Sequence, residues 1–143
     1  LHLLSRRQRQ MCIRDRYQDP QSGTWYQVTD QGAREGNYLE SSATALFIYT
    51  LAKAVNKGYI GKDYIQPTRK AFDGMVKTFT RLEEDGSYTI TNCCAVAGLG
   101  GDSKRYRDGS FEYYISEPVI ENDPKSVGSF ILAAIEYEKM TDK

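Results

Sequence analysis

Three stretches of this chain repeat apolar residues at helical spacing, and about five residues, Gly58 to Lys62, join the first two. Tyr38–Lys57 sets Leu39, Ala43, Leu46, Phe47, Thr50 and Ala54 on one stripe, and Gly58 follows as a helix stop. Asp63–Leu82 does the same with Ile65, Thr68, Phe72, Met75, Val76 and Phe79. Its Pro67 falls in the first turns, where a missing N–H is best tolerated. So short a connection predicts antiparallel neighbours, an αα-hairpin. Further on, Asn122 or Asp123 caps a third helix that starts at Pro124 and runs to about Met140. Val127, Phe130, Ile131, Ala134 and Ile135 are its expected inward residues. Three helices close no barrel, and their stripes are broader than three helices can bury. Residues 17–143 on their own are therefore expected to self-associate.

The long connections read differently. Asp19–Gly23 is a turn, Thr24–Val28 a short extended run, and Gln31–Asn37 a loop. Glu84–Ser87 is a tight turn and Tyr88–Ile90 a small strand. Ala97–Asp102 is dense in glycine, and Phe111–Ile115 reads as extended or irregular. The class is all-α, with short irregular or β-hairpin loops. Loops this rich in Gly, Tyr, Trp and charge are where function is expected to sit.

Charge excludes some functions. The formal net charge is zero, yet residues 1–16 hold five arginines against Asp15 alone, which leaves the remaining body mildly acidic. Such a body offers no footprint for nucleic acid, and no apolar run approaches the roughly 18 residues that span a bilayer. The one histidine is His2, Cys93 and Cys94 are adjacent, and no metal-ligand spacing occurs, so a zinc site, a Ser–His dyad or a Cys–His dyad is hard to assemble from this chain. Gly98–Gly101 lacks the phosphate-loop pattern; it reads instead as a loop that passes close to a ligand or another backbone. Leu1–Arg16 has the wrong order of features for a secretory signal. Its Arg7–Arg16 stretch resembles translated sequencing-adapter read-through, so we read 1–16 as not protein-derived, the alternative being a basic anion-binding arm.

Candidate chemistry is spread over several carboxylates: Asp30, Glu35, Glu40, Asp108, Glu112, Glu117 and Asp123. Ordinary glycosidases pair two carboxylates across the scissile bond, but spacing does not say which two could face each other here. Glu40 fits the start of its helix as a dipole partner, and Asp123 is most simply a cap. In Tyr106–Tyr114 an arginine stands among aromatics. It could clamp a carboxylate while a ring stacks on a sugar, or the segment could be a surface loop with an internal Arg–Asp pair. Trp25, the lone tryptophan, is either a sugar-stacking platform or a core plug.

A resemblance narrows these choices. Gly23-Thr24-Trp25-Tyr26-Gln27-Val28 and Gly36-Asn37-Tyr38-Leu39-Glu40-Ser41-Ser42-Ala43 resemble blocks of glycoside hydrolase families 88 and 105. So do Val96-Ala97-Gly98-Leu99-Gly100-Gly101, Tyr106–Tyr114, Ser116-Glu117-Pro118 and Asn122–Gly128, in the family's order and closer to the rhamnogalacturonyl branch, family 105. The resemblance implies that residues 17–143 are the C-terminal half of an (α/α)6 toroid. It implies hydrolysis of unsaturated uronic-acid-terminated oligosaccharides left by polysaccharide lyases. An aspartate protonates the C4=C5 vinyl ether, water adds at C5, and the hemiketal collapses. That aspartate belongs to the upstream half of the fold, so no catalytic residue is assigned in this chain.

What the resemblance carries over is a sugar-binding wall: Trp25 as the site tryptophan, and Gly100, Gly101, Tyr106 and Arg107 as a C-terminal loop approaching the unsaturated sugar. Some relatives hold an arginine four residues before the tryptophan, where this chain has Gln21. The expected partner is the oligosaccharide, with no nucleic acid, membrane, metal or cofactor. Two other readings stand beside it: a non-catalytic carbohydrate-binding remnant of the same fold, and another toroidal enzyme such as an epimerase or endo-glycanase. Residues 17–143 contain no histidine, which weighs against the last.

Overall fold

A computed structural model describes residues 16–101 and 106–141. Except for Arg16, the segment set aside as adapter-derived lies outside them, as does Asp102 of the glycine loop. Helix α1 is Ser41–Asn56, α2 is Ile65–Phe79, α3 is Phe111–Ser116 and α4 is Pro124–Thr141. Strand β1 (Thr80–Leu82) pairs antiparallel with β2 (Tyr88–Ile90), and β3 (Cys93–Cys94) pairs antiparallel with β4 (Val119–Ile120). Short 3₁₀ turns occupy Thr29–Gln31 and Lys62–Tyr64.

The expected hairpin is present. Gly58 follows α1 at φ +66°, its N–H bonds the Val55 carbonyl at 2.9 Å, and the Tyr59 N–H bonds the Ala54 carbonyl at 2.8 Å. That pair of bonds is a Schellman end, and it turns the chain straight into α2. Helix α2 stops three residues sooner than its periodicity predicts. Thr80–Leu82 leaves as a strand because Asp85–Gly86, with Gly86 at φ +83°, folds it back onto Tyr88–Ile90. Phe111–Ser116 corrects the extended reading. Its Ser110 hydroxyl accepts from the Tyr113 N–H at 3.1 Å, and that cap starts a short helix among aromatic residues.

Helix α4 runs parallel to α1. Their starts lie together beside β3 and β4, and near their far ends the Asn56 side-chain amide donates to the Glu136 carbonyl at 2.8 Å. The contact face of α4 is made of small residues, Ser126, Ser129 and Ala133, whereas Ile131, Leu132, Ala134 and Ile135 stay exposed. This corrects the predicted inward stripe for Ile131, Ala134 and Ile135; Val127 and Phe130 are partly buried. Small residues allow two helix backbones to approach closely, and the Ser129 hydroxyl meets its own need on the Lys125 carbonyl at 2.7 Å. Helix α1 is apolar on several sides: it buries Ala54 of the predicted stripe and packs Phe47 against the core, but most of its buried face is Thr44, Ala45, Ile48, Leu51 and Ala52, with Leu46 left 49% exposed. Helix α2 keeps its predicted stripe at Thr68, Met75 and Phe79, but not at Val76.

Trp25 closes the core with Ile48, Leu51, Met75 and Phe79, its ring edge-on to Phe47 at 5.1 Å. The Ser22 carbonyl crosses α2 at Gly74, and a Cβ there would overlap it. Gly74→Ala should therefore cost about 1–3 kcal/mol, and Trp25→Ala about 3–5 kcal/mol, in urea unfolding at neutral pH. An unchanged midpoint for both would overturn this packing.

Candidate functional site: a glycine-arginine wall anchored on buried carboxylates

The 26–40 connection and the segment from 91 to 123 meet at the end of the fold where α1 and α4 begin and α2 finishes, whereas the Asp19–Gly23 turn lies along α2. Glu40 organises this end. It is the N-cap of α1, and the Ala43 N–H donates to its Oε2 at 2.6 Å. Its Oε1 accepts from the Ser42 hydroxyl at 2.8 Å and from the Cys94 N–H at 3.0 Å. Three donors compensate a carboxylate that is only 1% exposed. The Glu40 N–H in turn donates to the Trp25 carbonyl at 2.9 Å, so the tryptophan segment, α1 and β3 share one anchor. Cys93 and Cys94 are buried free thiols, and burial first, then the Glu40 charge, pushes the Cys93 thiol up. Burial, with the Cys94 thiol and the Glu40 charge nearby, holds the Tyr38 phenol far above its usual range.

From β3 and β4 the chain extends into the predicted wall. The Ala95 N–H bonds the Pro118 carbonyl at 2.8 Å and continues the ladder. Gly100 and Arg107 then form an antiparallel bridge, with N–H to carbonyl distances of 2.8 and 2.9 Å. Gly100 (φ +76°) and Gly101 (φ +123°) take left-handed conformations that side chains resist, which is why the turn-in needs glycine. Two of the five wall residues, Gly100 and Arg107, thus meet at one bridge, with Gly101 next in the chain and Tyr106 beside it, 69% exposed.

Trp25 is separate from them. At 1% exposure its indole offers no ring face to a ligand in this structure, and it fills the core-plug role. Gln21, four residues before it, is exposed at a cleft beside α2.

Arg107 does not pair with Asp108. Its Nε lies 3.9 Å from Oε1 of Glu117, whose side chain is fully buried while that of Arg107 is 31% exposed. The Tyr113 hydroxyl accepts from the Gly98 N–H at 3.1 Å, and burial together with a hydrogen bond to Glu117 pushes that phenol up. Asp108 instead accepts the Ser110 N–H at 2.8 Å. Arg34 pairs with Glu112 and stacks 3.8 Å over Phe111, tying the 32–37 loop to α3. Asp123 accepts the Lys125 N–H at 2.8 Å as a cap, while Asp30 and Glu35 are exposed.

Sequence reasoning listed Glu117 only as one carboxylate among several. Its partners lie at positions 107 and 113 across a turn and a short helix, and β4 is too short for strand alternation to mark Glu117 as inward. The arrangement can hold an anionic or polar ligand between a guanidinium and an exposed ring.

Two expectations follow from these anchors. Glu40→Ala should cost roughly 2–4 kcal/mol in denaturant unfolding, through a lost cap and an unsatisfied buried Cys94 N–H; a cost below that of an exposed substitution would refute the anchor. The Ser110 hydroxyl and N–H hold the Asp108 carboxyl below the usual carboxylate range. A lowered folded pKa contributes order above the unfolded value of about 3.9 and loses it as pH falls through the folded value. The Ser110 amide should therefore keep its hydrogen-exchange protection down past pH ~4 and lose it only below the ordinary carboxylate range.

Comparison with known proteins gives the family. The model of Glycosyl Hydrolase Family 88 matches residues 4–141, beginning inside the segment that the sequence reading set aside. Protein Atu3128 of Agrobacterium fabrum and the 24.9 kDa protein in picA locus of Rhizobium radiobacter are each 39% identical over 120 residues, which is 81% of this chain and 52% of either protein. A family 105 glycoside hydrolase of C. acetobutylicum ATCC 824 is similar in structure at TM-score 0.83 and 45% identity, over 86% of this chain and 34% of that one. A possible family 105 member from Salmonella enterica serovar Paratyphi A reaches TM-score 0.76 at 26% identity, over 99% of this chain and 32% of its own. The chain thus spans about half the length of these curated relatives and about a third of these solved ones. On the family match and the fold together, this mostly helical chain belongs to glycosyl hydrolase family 88.

Proposed function

We propose that this chain supplies part of the sugar-binding wall of an enzyme that hydrolyses unsaturated uronic-acid-terminated oligosaccharides, the products of polysaccharide lyases acting on rhamnogalacturonan-type polymers. The observation that carries this reading is Arg107: its inner side is held at buried Glu117, its outer part is open, and the exposed Tyr106 ring stands beside it. A guanidinium so held suits the carboxylate of a uronic acid, and a tyrosine ring suits a sugar face. Gly100 and Gly101 let the backbone approach the sugar where side chains would clash. Trp25 takes part from behind, since the buried indole and Glu40 fix the segment that leads into α1.

The helices fit the same proposal. Parallel α1 and α4, antiparallel α2 and long connections gathered at one end match a portion of an (α/α)6 toroid. The exposed apolar side chains of α4 would then face further helices of that ring. The reaction in this reading is proton transfer from an aspartate to the C4=C5 vinyl ether and addition of water at C5. The C5 hemiketal then opens to a ketone, the anomeric carbon is left as a hemiacetal that expels the rest of the oligosaccharide, and the sugar leaves as a 4-deoxy-5-keto acid without the double bond. The aspartate is assigned to the part of the family fold that this chain does not contain.

Loss of the ultraviolet absorbance of an unsaturated rhamnogalacturonan disaccharide, followed with the full-length protein, tests this directly. Steady loss with the unsaturated disaccharide and no cleavage of its saturated counterpart is the expected result; the reverse pattern would sink the proposal. Arg107→Lys should lower kcat/KM roughly tenfold, mainly through KM, because a lysine cannot make the paired contact.

A further inference from the structure

Arg107, Tyr113 and Gly98 come from three different parts of the wall, yet all converge on one buried carboxylate. The Glu117 side chain is fully enclosed, with the Arg107 Nε 3.9 Å away and the Tyr113 phenol hydrogen-bonded to it. The same phenol accepts the Gly98 N–H at 3.1 Å. A Cβ at position 98 would stand 3.5 Å from Nη1 of Arg107 and 3.8 Å from its Cδ, so the arginine stem lies along this glycine. The Arg107 backbone is fixed as well, by its two bonds to Gly100. A buried carboxylate needs compensation, and a guanidinium has five donors in a rigid fork. The Nε edge faces Glu117 as an ion pair at 3.9 Å, longer than a hydrogen bond, and the Nη groups can serve something outside.

We infer that Glu117 is a positioning residue that holds the Arg107 guanidinium, through its Nε edge and with Tyr113 as a brace, in the orientation that receives a sugar carboxylate. This rests on the sugar-acid reading above for the identity of the ligand, but not for the geometry. Without the Glu117 charge, the guanidinium loses its inner partner and samples other rotamers. Ligand carboxylate must then order it at the moment of binding, which weakens affinity.

The test uses the full-length protein in solution by nuclear magnetic resonance, with D-glucuronate and D-glucose as probes. The Arg107 Nε–H resonance, assigned by its loss in Arg107→Lys, should shift when Glu117 becomes Gln and broaden with faster side-chain motion. Glucuronate should perturb the Gly98, Gly100 and Gly101 amides, and Glu117→Gln should weaken that binding about fivefold or more while any glucose response stays as it was. In an Arg107→Lys background, Glu117→Gln should add nothing, because its effect passes through the arginine. The inference is overturned by an unmoved Nε–H signal, by equal losses for both probes, or by additive effects of the two substitutions. If Glu117→Gln does not fold, Tyr113→Phe, which removes only the bracing hydroxyl, is read by the same signal: a moved Nε–H resonance supports the inference and an unmoved one overturns it. If the wild-type chain fails to distinguish glucuronate from glucose, the sugar-acid reading falls, while the Nε–H comparison still decides the role of Glu117.

Discussion

The Glu40 carboxylate, buried at the start of α1 and bonded to three donors, is the interaction on which the functional end of the molecule depends. One oxygen terminates the helix and the other holds the Cys94 backbone, so α1 and the β3–β4 ladder cannot move independently. The backbone of the same residue reaches Trp25. A glutamate cap is less common than serine, threonine or aspartate, because its longer side chain must be ordered to reach the helix N–H groups. Here the length is used: one oxygen reaches the Ala43 N–H of the helix and the other the Cys94 N–H of the strand.

The wall hangs from that ladder. Successive bonds from Ala95 to Pro118 and from Gly100 to Arg107 carry the pairing outward from β3 to the glycines. A second buried carboxylate, Glu117, then serves the outer part of the loop as Glu40 serves the inner part. In both cases burial makes the charge selective. A carboxylate removed from water discriminates strongly between a paired and an unpaired geometry, so it fixes the neighbours that compensate it.

The helices behind the wall are arranged by backbone closeness more than by side-chain bulk. Serines and an alanine line the α4 contact with α1, and Gly74 lets the Ser22 carbonyl cross α2. Large side chains fill the gap that remains, with Phe72 stacked on Tyr137 at 3.9 Å and Trp25 closing the centre. Meanwhile Leu46, Ile131, Leu132 and Ile135 stay outside this core. Such helices are apolar on more than one side, as helices inside a larger helical assembly are.

Local order was legible from residues alone. The hairpin of α1 and α2, its Gly58 end, the Pro124 start of α4 and the Tyr88–Ile90 strand all follow from signals within a few residues of one another. Which stripe of α1 and of α4 is buried was not legible, because both present more than one apolar stripe and only the neighbouring helix selects between them, whereas the single stripe of α2 was. The α3 helix was hidden for a related reason: a run of aromatic residues reads as strand until the Ser110 cap and the Arg34 contact favour the helix. The partner of Arg107 was likewise decided in three dimensions. Asp108 is nearer in sequence, but the Ser110 N–H takes its carboxylate, while the fold brings Glu117 to the arginine from ten positions away. Periodicity and capping are short-range properties of a chain. The choice of partner for a buried charge belongs to the packed structure, because only there is the cost of leaving that charge unpaired felt.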